Sequence, residues 1–429
     1  MTSKAFPSDW SSVSLSDLME EVDLRVSDLP SEQQQLEVLS LTKRWGLVPQ
    51  TERFDKRIAT DDVTGYKVVR PGWIVYNPYV IWEGAIHALR RAAPGIVSPV
   101  YVVWKLKAND GGFLDLTLRS PRLVQEYQRL AAGAVNRRRS IKKSDFLAIR
   151  VSCPPLQERR QIAKMLLTVQ QAIEQRERLL AILAEFKKAL MQRLFTQGVI
   201  AQPTRQTEIG LVPVAWTESR LGSVARLSSG GTPSRNVSEY WAGGTIPWVK
   251  TGEVNYGTIA STEERITKEG LDNSSAKMLP VGTLLMAMYG QGVTRGRVAI
   301  LGISAATNQA CAAITPRSED EVSTNFLYHF LEFHYGRLRQ RGHGANQPNL
   351  SMTLLKQFPV YYPQRPEQNA IVDMLRAVDD KRGVHERERA TLMGLSQALA
   401  DQLMSAQIRV HDLDFSALED FEQEPAGAV

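Results

Sequence analysis

Cysteine is almost absent from this chain: among 429 residues only Cys153 and Cys311 occur. Two thiols cannot build a disulfide framework or a multi-cysteine zinc site, which fits a reducing cytosol. Long apolar runs are missing as well. No stretch reaches the eighteen or so residues of a membrane span, and the opening MTSKAFPSDW has no apolar signal core. The expectation is a soluble, cytoplasmic protein without membrane contact. Only six histidines are present, and His329 and His334, five residues apart, do not share a helical face. No His/Cys/Asp grouping has metal-ligand spacing, so no metal is expected.

Catalytic signatures are lacking too. SGGTPS (229–234) has the glycines of a phosphate loop but not the Lys-Ser/Thr ending that reaches terminal phosphates. YNPYV (76–80) has one proline where the Asn-Pro-Pro-Tyr signature of amino-methyltransferases has two, and no Gly-rich turn after a strand could seat S-adenosylmethionine. It reads as a strand edge. A Gly-x-Ser-x-Gly nucleophile elbow is missing. No catalytic residue and no cofactor are therefore expected on this chain.

Net charge is small, +6, but unevenly spread. Residues 1–150 carry 22 basic and 17 acidic side chains, 151–200 carry 8 and 4, 201–360 carry 15 and 12, and 361–429 carry 7 and 13. The first 360 residues are thus basic and the end is acidic, which makes a polyanionic partner for the first part worth testing.

What the chain does have is a repeat. Residues 154–199 lie over 363–408 without a gap at an offset of 209, with Pro154/Pro363, Glu158/Glu367, Ile162/Ile371, Leu166/Leu375, Val169/Val378, Glu177/Glu386, Arg178/Arg387, Leu183/Leu392, Leu190/Leu399 and Leu194/Leu403 among the identical pairs. The match extends upstream, where Trp10 and Leu15 fall near Trp216 and Leu221. The chain is two copies of one unit, a variable domain of about 150 residues followed by a helix.

Each repeated segment has heptad spacing. The first seam comprises Ile162, Leu166, Val169, Ile173, Leu180, Leu183, Leu190 and Leu194, with Arg176 and Lys187 filling two positions. The second keeps Ile371, Leu375, Val378, Leu392, Leu399 and Leu403 but puts Arg382, His385, Arg389 and Ser396 on the same stripe. Pro154 and Pro155 precede the first helix and Gly198 supplies its stop. Forty helical residues span about 60 Å, and the natural partner of one helix is the other. A pseudo-twofold relation makes them antiparallel, which suits a duplex whose strands are antiparallel too.

The variable parts mix short strand-like runs, YKVV (66–69), WIVYN (73–77), VYVVWKL (100–106), TIPWVK (245–250), GTLLMAMYG (282–290) and RVAILG (297–302), with helical pieces at 122–132 and 323–340. The fold class is mixed α/β (α+β): two globular domains, 1–152 and 201–361, separated by a coiled-coil-like helical pair, 153–200 and 362–409, with an acidic tail at 410–429.

Several loops offer groups for phosphates and base edges, because Lys and Arg neutralise phosphates while Arg pairs with guanine and Asn or Gln with adenine. In the first domain these are Lys43, Arg44, Arg90, Arg91, Arg137, Arg138, Arg139, Lys142 and Lys143. In the second they are Thr232, Ser234, Arg235, Lys250, Tyr289, Gln291, Thr294, Arg295, Arg297, Asn308, Gln309, Arg339, Arg341, His343, Asn346 and Gln347.

TEIGLVPVAW (207–216), LGSVARLSSGGTPSRNVSEYWAGGTIPWVKTGEV (221–254), LPVGTLLMAMYG (279–290), TNQAC (307–311) and GANQPNLS followed by FPVYYPQRPEQNAIVDML (344–375) together resemble the specificity subunit of type I restriction-modification systems. The likeness covers essentially the whole chain and is strongest in the second domain. It implies a non-catalytic subunit that reads a bipartite, asymmetric DNA target, one half-site per domain, with the helices setting the gap. It also implies two modification subunits that methylate adenine with S-adenosylmethionine, and restriction subunits that use ATP and Mg to translocate and cut DNA. Two other readings compete: a self-contained DNA methyltransferase or nuclease with an unrecognised site, and a coiled-coil scaffold that binds protein.

Overall fold

The computed structural model describes residues 7–43, 45–53, 62–131, 140–290, 293–341 and 349–413. The chain divides into two compact units, 1–175 with 388–429, and 176–387. Each unit therefore holds part of both long helices, Leu156–Gln197 and Arg365–Met404.

In the first unit, strand Ser11–Ser14 pairs antiparallel with Arg150–Cys153, joining the start of the domain to its exit. Leu15, fully buried, then opens a single helical turn and its N–H donates to the Ile149 carbonyl at 3.0 Å. An antiparallel sheet follows with spatial order Met19–Glu21, Val102–Leu106, Ile74–Tyr76, Ile86–Ala88. Two smaller pairs, Leu39–Thr42 with Gly46–Pro49 and Lys67–Val69 with Gly95–Val97, flank it.

The second unit repeats the joining pair and the order of the first four main-sheet strands. Thr217–Arg220 pairs with Pro359–Tyr362, Leu221 donates to the Phe358 carbonyl at 2.9 Å, and the main sheet runs Ala225–Ser229, Cys311–Pro316, Leu284–Ala287, Val298–Leu301, then a fifth, parallel strand Thr258–Ile259. The strand runs read from the sequence lie on these elements, except TIPWVK, which falls on Ile246–Val249, the middle strand of a separate sheet with Glu264–Ile266 and Ala306–Thr307. The helical stretch at 323–340 breaks at His334 into Thr324–Phe333 and Tyr335–Arg341.

Aromatic residues fill each core. Tyr76, Trp104, Tyr127 and Phe146 pack together in the first, with the Tyr76 and Phe146 rings 4.9 Å apart, and Ile162, Ala163, Leu166 and Leu403 of the long helices close over them. In the second, Phe195 meets Trp216, Phe326 and Phe330 edge-on, beside Leu194, Ile371 and Leu375. A fully buried Leu or Ile stabilises by about 1.5–3 kcal/mol, so the helix ends are fastened into the domains. This differs from a spacer standing clear of its domains. Val169, Ile173, Leu180, Leu183, Leu190, Leu392 and Leu399 are half-buried, whereas Ile162, Leu166, Leu194, Ile371, Leu375, Val378 and Leu403 are buried.

Within each unit the two helices run antiparallel. In the first, Arg409, just past one helix, meets Glu158 at the start of the other; in the second, Lys187 meets Asp379 while Val199 meets Glu367. The segment expected as an acidic tail begins inside the first core: Val410 is 1% exposed and Arg409 also holds Asp9 at 2.6 Å. Residues 414–429 lie outside the described part. Gly198 ends its helix at φ 78°, and a Cβ there would lie 2.6 Å from the Glu367 carboxylate, so glycine is required.

Candidate nucleic-acid interface

The glycines of SGGTPS serve close packing. A Cβ on Gly230 would lie 2.1 Å from the Thr307 carbonyl oxygen and one on Gly231 would lie 2.2 Å from Ser275 Oγ. This tight backbone crossing sets Thr232, Ser234 and Arg235 next to the TNQA loop. Thr232 donates its hydroxyl to Gln309 Oε1, and Asn308 exchanges hydrogen bonds with Thr251 at 2.9–3.1 Å. Gln309 is exposed, so its amide is aimed outward with its orientation held by Thr232.

Arg235 lies 3.6 Å over the Trp241 ring and donates to Glu264 at 2.6 Å, while the exposed Ser234 accepts at its carbonyl from Trp241 Nε1. Lys250 donates to Glu263 at 2.6 Å and lies 3.2 Å from Glu264. The bond from Arg235 holds the Glu264 carboxyl below its usual range, and Glu263 raises the Lys250 ammonium. The cations of this patch are therefore matched by carboxylates that sequence reading passed over.

A second patch gathers around residues 293–297. Arg295 is 5% exposed, Arg297 stacks on Tyr256 and donates to Asn255, and Arg339 stacks on Tyr335 and donates to its hydroxyl at 2.7 Å. Tyr289 is exposed and Thr294 half-buried beside them. Tyr256, Tyr335 and Asn255 were not expected from sequence. Asn255-Tyr256-Gly257, a turn of the Asn-Gly kind with positive φ at Tyr256 and Gly257, was the available signal.

In the first unit the expected cations are also engaged. Lys43 pairs with Glu83, Arg91 with Glu37 and Lys143 with Glu21. Lys142 is exposed at the N-cap of the short helix Lys143–Leu147. Arg90 donates at 2.6 Å to Asp115, which also receives Arg119 and the Ala88 N–H. Burial pushes the Asp115 carboxyl up, but Arg119 and Arg90 together bring it below its normal value. Arg90, Arg91, Trp45, Asn109 and Glu174 line a cleft of about 480 Å³. Arg44, Arg137, Arg138, Arg139, Gln291, His343, Asn346, Gln347 and the Arg341 side chain lie outside the described residues.

Among the described residues one group has ligand atoms close enough for a metal, His329, Glu332 and Asp379, within 4.8 Å of one another. The buried Lys187 ammonium takes the central place, 2.7 Å from Glu332 and 2.9 Å from Asp379. This is an internal ion pair of the helices. YNPYV turns at the strand end, Asn77 Oδ1 accepting from Tyr79 N, with Tyr76 sealed in the core. Both thiols are buried, and burial raises Cys311 to about 12.

Residues 213–393 match the model of the type I restriction modification DNA specificity domain. The MjaVIII specificity subunit of Methanocaldococcus jannaschii is 25% identical over 347 residues, 78% of this chain and 80% of that one. The MjaIX specificity subunit of the same organism is 30% identical over 181 residues, 41% of this chain and 40% of the relative. The crystal structure of the S subunit from M. genitalium superposes with a TM-score of 0.63 over 91% of this chain and 95% of that one, at 14% identity, and shows the same fold. Residues 213–393 thus carry the DNA specificity domain of type I restriction modification, and over most of its length the chain is similar to type I specificity subunits. Those relatives are specificity subunits of type I restriction enzymes, and the matched domain is a DNA specificity domain. No helix among the described residues is long and apolar enough to cross a membrane.

Proposed function

We propose that this specificity subunit reads a bipartite, asymmetric DNA target, one half-site with residues 1–152 and the other with 201–361, while the helices at 153–200 and 362–409 set the gap. The observation that supports this most is a shared main-sheet strand order carrying different surface chemistry: Arg90 and Arg91 in one unit, and Thr232, Arg235, Asn308 and Gln309 in the other. Equal scaffolds with unequal loops are what two unlike half-sites require. Mapping modified adenines in the source genome tests it. A split motif with a constant gap, lost when the gene is deleted, is expected; modification that persists without the gene overturns it.

The partners in this reading are double-stranded DNA, two modification subunits using S-adenosylmethionine, and restriction subunits using ATP and Mg, all in the cytoplasm, with no cofactor on this chain. Repeat-equivalent exposed apolar residues support a partner that binds twice: Phe186 is 54% and Leu395 46% exposed, 209 residues apart. Glu177/Arg178 and Glu386/Arg387 recur nearby. Phe186→Asp and Leu395→Asp should each remove one modification subunit from the complex, read by its mass in solution.

A further inference from the structure

We propose that Arg295, Arg297 and Arg339 form a sequence-blind site for a phosphodiester group, which fixes the second recognition domain on the duplex while the Thr232–Gln309 loop reads bases. The inference rests on the DNA-reading function above and sorts its contacts.

Three separate segments converge here: residues 293–297, the turn at Asn255–Gly257 and the helix Tyr335–Arg341. Arg295 is 5% exposed; among the described residues its Nε has no partner, and its Nη2 reaches only the Arg339 carbonyl at 3.5 Å. Among the described residues neither Arg295 nor Arg297 has a carboxylate partner. Burying a guanidinium without a counter-ion is costly, and an anion laid over it recovers that cost. The Thr232 patch is the opposite case, because Arg235 and Lys250 are each matched to a glutamate.

The rim arginines are held in place before any ligand arrives. Tyr335 donates to the Val293 carbonyl at 2.5 Å and accepts from Arg339 at 2.7 Å, so its ring is fixed beneath that guanidinium. Tyr256, at φ 63°, takes a backbone conformation unusual for a bulky residue, sets its ring against Tyr335 at 6.4 Å and lies under Arg297. Gly296, at φ 89°, leaves room for Arg339, whose Cγ would be 3.4 Å from a Cβ there. Fixed, stacked guanidiniums suit a phosphate. Arg297 and Arg339 make the contact, and Arg295 contributes charge from below.

The test uses the full chain with its modification subunits on a duplex carrying the mapped target, with Arg297→Gln and Arg339→Gln made singly. Each should reduce the slope of log affinity against log salt by about 0.9, which is about eightfold in affinity at 0.1 M salt. The loss should be equal on the target and on a duplex with a substituted second half-site. Arg339→Lys should keep the slope. Replacing one phosphate by a neutral methylphosphonate should reproduce the loss and cancel any further effect of Arg297→Gln. An unchanged slope, or an altered base preference in either variant, overturns the site. Loss of a modification subunit with an unchanged slope overturns it in favour of an acidic protein segment. A wild-type complex that binds without sequence preference instead overturns the DNA-reading function, while the slopes still decide the phosphate site.

Discussion

Glu158 and Glu367 are repeat equivalents, 209 residues apart, and each fastens the chain just beyond the end of the opposite long helix. Glu158 receives Arg409 at 2.7 and 2.8 Å; Glu367 receives the Val199 N–H at 3.0 Å and Gln202 Nε2 at 3.3 Å. A carboxylate in the first turn of one helix thus closes the end of its antiparallel neighbour in both units. Glu158→Ala should cost about 1.5–3 kcal/mol, since Arg409 then keeps only Asp9. Gly198→Ala, forced into a left-handed conformation against Glu367, should cost about 1–2 kcal/mol. Urea unfolding of the purified chain measures both, and a loss under 0.5 kcal/mol for either would show that the closure contributes little.

Lys187 has Ser396 as its repeat equivalent, so the second unit has a buried charge where the first has a hydroxyl. Burial pushes the Glu332 carboxyl up, but the hydrogen bond from His329 and the Lys187 ammonium together bring it below its normal range. Lys187→Met should strand Glu332 and Asp379 and destabilise the second unit by about 3–5 kcal/mol. Ser396→Ala should change stability by less than about 0.5 kcal/mol. Comparing the two unfolding curves separates a specific ion pair from general helix packing.

His87 is 2% exposed with Nε2 3.0 Å from the Lys43 carbonyl, and burial lowers its pKa to about 4. An unfolded histidine titrates near 6.5. Between those values the unfolded chain binds a proton that the folded one refuses, so stability falls as pH drops from about 6.5 to about 4 and levels off below. His334, lowered to about 3 by burial, extends the same trend. His87→Gln should flatten the dependence across pH 4–6.5 in denaturant titrations; an unchanged slope would exclude His87 as its source.

A turn added to the first long helix near Gln175, with a matching turn near Arg387 in the second, should lengthen the unspecified gap and leave both half-sites unaltered. Paired insertions are needed because Glu158–Arg409 and Lys187–Asp379 set the register at either end. Methylome sequencing of a strain carrying the insertion reads the result. A changed half-site would show that the helices do more than measure distance.

Much of the fold was legible because it rests on local pattern. Heptad spacing marked both helices, Gly198 marked a stop at φ 78°, and the runs around Ile74–Tyr76 and Leu284–Ala287 were apolar between turn residues. The interface was legible only as residue types. Arg90, Arg235 and Lys250 were candidate cations, but nothing in their neighbourhood disclosed Asp115, Glu264 and Glu263 as their partners. Tyr256 and Tyr335, which position two arginines, come from distant elements with no motif between them.

The sequence by itself determined the duplication and the strand and helix content, since these follow from periodicity and from residues repeated at one offset. Tertiary structure alone decided which half of each helix belongs to which core, which cations are neutralised and that the seam lysine Lys187 is buried among carboxylates. Lys187 meets partners 145 and 192 residues away and Arg409 one 251 away. Contacts at such separations depend on how the elements pack, and a burial-dependent pairing leaves no spacing in the chain to read.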